Sequence, residues 1–368
     1  MIKAAIIMGG QSAEHEVSLQ SGRSIFQAID KSKYDVELIG IDKQGNWFSL
    51  PHEGYLANED DPDNIALITD RERQVALIPF DGSHRMLHIA NGKMTDALDV
   101  AFCIVHGTFG EDGGAQGYFN MLNLPFVGPD ILGAAVGMDK DTAKQVLLYH
   151  GIAVADYVCY HRATFDESQL EQAVAKLGFP MFVKPSSSGS SIGVKKANDV
   201  NELLEAIHFA FQYDQKVLVE CFVDGREIEC SVLGNDDAKA SLPGEIVPLH
   251  EFYSYEAKYI DKQGAKLEIP AKIPADLIPR LQDLAVKTYH ALNCAGLARV
   301  DFFLTKENEL IINEINTLPG FTSISMYPKL WAVSGLPYSK LIDELLQLAI
   351  SRHQQKQKTL NNILTART

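Results

Sequence analysis

Two stretches of this chain share one pattern: a run of apolar residues, a glycine turn, then a helix. "IKAAIIM" (2–8) runs into "GGQS" and on to "SAEHEVSLQSGRSIFQAID"; "LDVAFCIVHG" also ends on glycine, and the helical "GAQGYFNMLNL" follows it. A strand apolar at every position, not every second one, must be covered on both faces. That is the condition of a parallel sheet between helices. With "YDVELIGID" as a further strand, roughly residues 1–135 predict a doubly wound α/β unit, interrupted by turn-rich, strand-like pieces over 43–95. Ligands of such sheets bind beyond the carboxyl ends of the strands, where the GG and HG turns lie.

The pattern then changes. "DKDTAKQVLLYHG" predicts a helix closed by Gly151, and "FPMFVKP" and "IGVKKA" predict two strands joined by "SSSGSS". An amphipathic helix follows with Asn198 or Asp199 as its cap, then strands in "QKVLVECFV" and "REIECSVLGN". This is the outline of a small antiparallel sheet with helices. The polar, aromatic "LHEFYSYEAKYIDKQGAKLEIPA" is long for a connection and is expected to be a lid. After it come a helix in "DLIPRLQDLAVKTYHALNC", a hairpin in "ARVDFFLTKENELIINEIN" and, past about residue 350, a polar tail expected to fray.

At 368 residues, 46% of them hydrophobic, the chain can build more than one core. Its net charge of −15 argues against nucleic acid, which needs a basic face. Five cysteines (Cys103, Cys159, Cys221, Cys230, Cys294) form no CxxC pair and mostly sit in apolar runs, so buried thiols are expected, not a disulfide framework or zinc site. The opening residues are too short an apolar run for a signal peptide, and no run approaches a membrane span. A reducing cytoplasm is the expected location.

In "NEINTLPGFTS", Glu314 and Asn316 lie two residues apart on a strand and so share a face. If the preceding hairpin turns between Glu307 and Asn308, Asp301 stands opposite Glu314. Opposed like charges destabilise a hairpin. A hard divalent cation removes the conflict, because Mg²⁺ takes carboxylate oxygens together with substrate phosphates. Such a site calls for a phosphate loop. "VKPSSSGSSIGVKK" fits, with backbone N–H groups free of bulky side chains and Lys184 at the strand end, although a plain Gly/Ser turn fits it equally. No Walker A motif occurs.

The same loop contains "GSSIG", the GxSxG of a serine hydrolase with Ser191 as nucleophile, but that motif needs a helix after the elbow and the sequence reads as a strand. "GGQSAEHEVS" sets Glu14, His15 and Glu16 at a strand–helix junction, where acids of a first helical turn and an exposed histidine are the plain expectation. His106, ending another strand, reads as a turn histidine or a site residue.

Taken in order, "GGQSAEHEVSLQSG", "HGTFGEDGGAQG", "GMDKDTAK", "FVKPSSSGSSIGV", "GREIECSVLGN", "EFYSYEAKY", "ARVDFF" and "INEINTLPGFTSISMYP" resemble the D-alanine–D-alanine ligases of the ATP-grasp superfamily over almost the whole chain. The resemblance implies an α/β (α+β) ATP-grasp fold with an amino-terminal doubly wound parallel-sheet domain over 1–138, a small ATP-grasp domain over 139–226, and a carboxy-terminal one over 227–368 with a lid at about 250–266. It implies ligation of two D-alanines through an acyl phosphate for peptidoglycan precursors, with ATP as substrate and two Mg²⁺ (Mn²⁺ as alternative) on Asp301, Glu314 and Asn316. Lys140, Lys184 and Lys258 match phosphate-contacting lysines, with Ser190 and Ser191 on the nucleotide side of the loop. Glu220, Phe222 and Val223 match the adenine stretch, and Glu227 the ribose carboxylate. Glu14 matches the acid that holds the first ammonium, with Ser190 and Tyr259 as its partners in lid closure and His106 among the substrate contacts. Arg299 matches the oxyanion-stabilising residue, and Gly320, Ser325 and Met326 the second-substrate pocket. A homodimer is implied as well. A ligase making D-alanyl-D-lactate and a catalytically silent nucleotide-binding protein are the neighbouring alternatives; Tyr259 in "EAKY" favours an amine acceptor.

Overall fold

A computed structural model describes residues 1–248 and 265–365. The amino-terminal sheet has the order Trp47–Leu50, Tyr34–Ile41, Ile2–Gly9, Val100–Cys103, with the last three strands parallel and Trp47–Leu50 antiparallel to its neighbour. The unbroken apolar run of the first strand is explained by two cores. Ala4, Ile6 and Met8 pack with the helices His15–Ala28 and Tyr338–Thr365 on one face. Ala5 and Ile7 pack on the other with the helix Gly114–Met121 and the small sheet that contains Val75–Phe80 and Ser83–His88. The first helix starts at His15, not at Ser12, and His15 is 4% exposed where an exposed residue was expected. The chain folds back over the glycine turn there, and His15 Nδ1 donates to the Gly10 carbonyl at 2.8 Å.

The second sheet is antiparallel throughout, in the order Tyr157–His161, Lys216–Cys221, Met181–Pro185, Lys195–Ala197. Helices Leu170–Leu177 and Val200–Ala210 cover one face through Ala173, Leu203 and Ile207, and Asp199 caps the latter by accepting from the Asn201 and Glu202 amides. The strand after the serine loop begins at Lys195, later than the expected Ile192.

The third sheet runs Ala265–Glu268, Gly244–Pro248, Gly225–Gly234, Gly296–Thr305, Leu310–Asn316, with Lys239–Ala240 added to Gly225–Gly234. Ile228, Cys230, Val300 and Phe302 pack against Leu281, Ala285 and Tyr289 of the helix Leu277–Ala291. By strand alternation Glu227, Glu229, Arg299 and Asp301 face away from that helix. The last two positions of the expected lid, 265 and 266, belong to a strand; the rest of it, with Lys258 and Tyr259, lies outside the described residues.

The expected fraying of the tail is corrected. The last helix continues to Thr365. Arg352 donates to the Phe126 (2.9 Å) and Gly128 carbonyls, and Lys356 pairs with Asp130 at 2.7 Å, so polar residues of the tail anchor it to the first unit. Cys103, Cys230 and Cys294 are buried, Cys159 and Cys221 half-buried, and all five are free thiols.

Candidate active site

The residues on the face of the third sheet turned away from the helix Leu277–Ala291 form two rows. Glu229, Asp301 and Glu314 stand opposite one another across three strands, with Ser231, Arg299 and Asn316 in the next row. The expected pairing of Asp301 with Glu314 is present, but by a different route. Near the turn Leu304 pairs with Leu310 and Phe302 with Ile312, which centres the turn on Glu307. A bulge beyond Phe302 inserts Asn313 and restores the pair. Arg299 holds this acidic face together: its Nε and Nη2 each lie 2.7 Å from an Asp301 oxygen, and Nε lies 3.0 Å from Glu229. Burial opposes its charge, but Asp301 and Glu229 hold the guanidinium well above its usual pKa. Asn316 Nδ2 donates to Asp301 at 2.8 Å. Glu229, not singled out from sequence, was legible in the "EIE" alternation beside Glu227.

Lys140 ties this face to the serine loop. Its ammonium donates to the Ser188 carbonyl at 2.8 Å and lies 3.5 Å from Glu314, while its amide donates to the Ser186 carbonyl. Lys216 bridges Asp139 (2.7 Å) and Asp141 (3.2 Å), which fixes the start of the helix Lys140–Tyr149 to the second sheet. Ser190 and Ser191 have φ of +53° and +58°. The Ser190 hydroxyl donates to Glu14. After Ser191 the chain turns and enters the strand Lys195–Ala197, so the helix that a hydrolase elbow needs is not there.

Glu14 is 9% exposed. Close approach requires glycine beside it: a Cβ on Gly107, itself at φ +72°, would come within 2.9 Å of Glu14 Oε2, and one on Gly189 within 3.2 Å. His106 is buried, donates from Nδ1 to the Leu318 carbonyl at 3.0 Å, and meets Ser21 through Nε2 at 3.2 Å. Burial keeps this imidazole below its ordinary pKa. Glu111, which sequence reasoning did not single out, accepts from the Gly107 amide at 2.8 Å. Burial, aided by the Glu14 charge, pushes its carboxyl up to about 8.

On the second sheet, Lys184 Nζ lies 2.6 Å from Glu220, and Lys144 lies 3.2 Å from the other oxygen of that carboxylate. Burial opposes the Lys184 charge, and Glu220, Glu314 and Glu227 more than offset it, so its pKa rises. Glu227 thus acts on Lys184 from the third sheet. The Glu220 side chain is committed to these lysines, and just beyond it the Cys221 and Phe222 amides donate to the Asp156 and Pro180 carbonyls. Phe222 is exposed, its ring 6.2 Å from that of Phe182, and Val223 is half-buried.

Past the hairpin, Ser325 Oγ bonds Thr322 Oγ1 (2.8 Å) and accepts from the Thr322 amide (3.1 Å). A Cβ on Gly320 would lie 3.2 Å from that hydroxyl. Met326 is buried with Ile246 and Leu330. The Leu318 carbonyl bonded by His106 joins this segment to the Glu14 region. The cations Lys140, Lys184 and Arg299, the acids Glu14, Asp301 and Glu314, and a backbone-lined loop suit transfer of an anionic group.

The family models described as D-ala D-ala ligase N-terminus and D-ala D-ala ligase C-terminus match residues 3–129 and 146–347. A D-alanine–D-alanine ligase of Shouchella clausii is 53% identical over 98% of each chain. The solved D-alanine–D-alanine ligase of Coxiella burnetii superposes with a TM-score of 0.86 at 35% identity, over 100% of this chain and 99% of that one. That of Bacillus anthracis complexed with ATP gives 0.71 at 27%, over 97% and 100%. Both family models match in chain order and a relative shares half its residues end to end: the chain belongs to the D-alanine–D-alanine ligase family and has its ATP-grasp fold.

Proposed function

We infer that this chain ligates two D-alanines with ATP, forming D-alanyl-D-alanine, ADP and phosphate for cell-wall synthesis. The observation that carries the reading is the convergence of Lys140 on both the serine loop and Glu314, with Ser190 of that loop bonded to Glu14. A carboxylate oxygen of the first D-alanine attacks the γ-phosphorus of ATP, and the bond to the ADP oxygen breaks. The amine of the second D-alanine attacks the acyl carbon and loses a proton. The C–O bond then breaks and phosphate leaves.

The residue roles are proposals of the same reading. Glu14, oriented by Ser190, holds the first ammonium; His106 stays neutral and keeps the Leu318 segment in place beside it. Arg299 faces the oxyanion of the tetrahedral intermediate. Lys140, Lys184 and the Ser190–Ser191 backbone hold phosphates, Phe222 and Val223 the adenine, and Glu227 the ribose. Ser325, held by Thr322, takes the second carboxylate beside Gly320 and Met326. Lys258 and Tyr259 would complete the site from outside the described residues.

Asp301, Glu314 and the Asn316 amide are hard oxygen donors on one sheet face, and they fit Mg²⁺. Among the described residues no three acidic, histidine or cysteine side chains close on one point. An ion there would complete its shell with phosphate and water, as Mg²⁺ does. When bound it neutralises phosphate oxygens.

The division at 138/139 and 226/227, a homodimer and a cytoplasmic location belong to the same reading. It is supported by the three main sheets, by family membership and by the need for ATP; among the described residues no helix is long and apolar enough to cross a membrane. A coupled phosphate assay with mass spectrometry of the product tests it. Phosphate release that depends on D-alanine, with one dipeptide per phosphate, is expected; release independent of D-alanine would overturn it.

A further inference from the structure

The helix Lys140–Tyr149 carries two lysines one turn apart, Lys140 and Lys144, and so presents both on one face. Lys140 reaches the serine loop. Lys144 points inward and is 2% exposed. Its ammonium lies 3.2 Å from Glu220 Oε1 and 5.7 Å from the centroid of the Tyr157 ring. Glu220 is 3% exposed, and its second oxygen lies 2.6 Å from Lys184. The row therefore reads cation, anion, cation: Lys144 sealed in protein, Lys184 towards the site.

A buried ammonium is costly, since burial opposes its charge, and an apolar side chain would fill the same space without that cost. What Lys144 adds is charge. Glu220 with Lys184 alone is a neutral pair, so the carboxylate would compete with any phosphate for that ammonium. Drawing Lys184 towards a phosphate would also leave the carboxylate uncompensated in a dry interior. A second lysine gives the row a net positive charge and keeps Glu220 balanced when Lys184 is shared.

We propose that Lys144 is a positioning residue for nucleotide: by compensating Glu220 it leaves the Lys184 charge available to the ATP phosphates. This rests on the reading of Lys184 as a phosphate ligand.

The test is a charge cycle of Lys144→Met, Glu220→Gln and the double variant, with Mg²⁺–ADP binding by calorimetry and KM for ATP and for D-alanine. Lys144→Met should weaken ADP binding and raise KM for ATP about tenfold, leaving KM for D-alanine within about twofold. The double variant, with no carboxylate to hold Lys184 back, should return to within about threefold of the parent. Equal shifts in both KM values, or a double variant as weak as the product of the singles, would overturn the proposal. If Lys144→Met fails to fold, the double variant, free of an unpaired buried charge, decides alone: near-parent ADP affinity supports the proposal, and about tenfold weaker binding overturns it. A parent protein that binds no Mg²⁺–ADP would instead remove the ATP reading itself.

Discussion

Glu14 and Ser190, 176 residues apart in the chain, meet through a hydrogen bond donated by the serine hydroxyl. One belongs to the turn before the first helix, the other to the glycine–serine loop of the antiparallel unit. Their contact joins two units across the place proposed for the first D-alanine. Glu14→Gln removes the charge facing an ammonium and should raise KM for the first D-alanine by about tenfold to a hundredfold. Ser190→Ala, which removes the donor that orients this carboxylate, should cost about threefold to tenfold. Initial rates over a D-alanine titration at saturating ATP separate the two; an unchanged KM in both would remove this pair from the substrate site.

Asp301 and Glu314 face each other across a hairpin with Arg299 and Lys140 as their cationic partners. Glu314→Gln keeps the volume and loses a charged ligand, so its melting temperature should stay within about 5 °C while turnover falls about a hundredfold or more. Asp301→Asn should lose similar activity with a larger drop in stability, because it also loosens Arg299. Near-parent turnover of both at millimolar Mg²⁺ would contradict a metal site on the hairpin.

The cores were legible because a strand buried on both faces carries no polar alternation, as in Ala4–Met8. The facing of Asp301 and Glu314 was legible for a less secure reason: the turn lies half a residue from the expected centre, and the bulge at Asn313 compensates. What escaped the sequence depends on tertiary surroundings. His15 is buried by a glycine turn folding back on it. Glu111 is perturbed by its burial and then by a carboxylate almost a hundred residues earlier. Lys144 sits in the same motif as Lys140, and nothing in the spacing says that one of the two is sealed inside. The polar residues of the last helix read as solvated until their partners, the Phe126 and Gly128 carbonyls and Asp130, are seen.

Glu111 should give the fold a pH signature. Burial and then Glu14 raise its carboxyl in the folded state to about 8, from a reference near 4.5. Between those values the folded protein holds a proton that the unfolded chain releases, so this group lowers stability as pH rises from about 4.5 to about 8. Glu111→Gln cannot ionise. Its melting temperature relative to the parent should climb from pH 5 to pH 8; a difference that is flat over this range would show that Glu111 is ionised in the fold.

Arg352 is the polar anchor of the last helix, its guanidinium donating to two carbonyls and stacked 5.0 Å from the Phe126 ring centroid. Arg352→Ala leaves those carbonyls without this donor and should cost about 3 kcal/mol in chemical denaturation. A loss below about 0.5 kcal/mol would mean that the tail contributes no anchoring.

The central claim is that the carboxylate of one D-alanine becomes an acyl phosphate before the amine of the other attacks. The most direct measurement uses D-alanine labelled with ¹⁸O in both carboxylate oxygens, unlabelled ATP, and mass analysis of the released phosphate. Each turnover should transfer one ¹⁸O to phosphate, because the carboxylate oxygen that attacks phosphorus leaves with it. Phosphate free of ¹⁸O, released alongside dipeptide, would contradict the account.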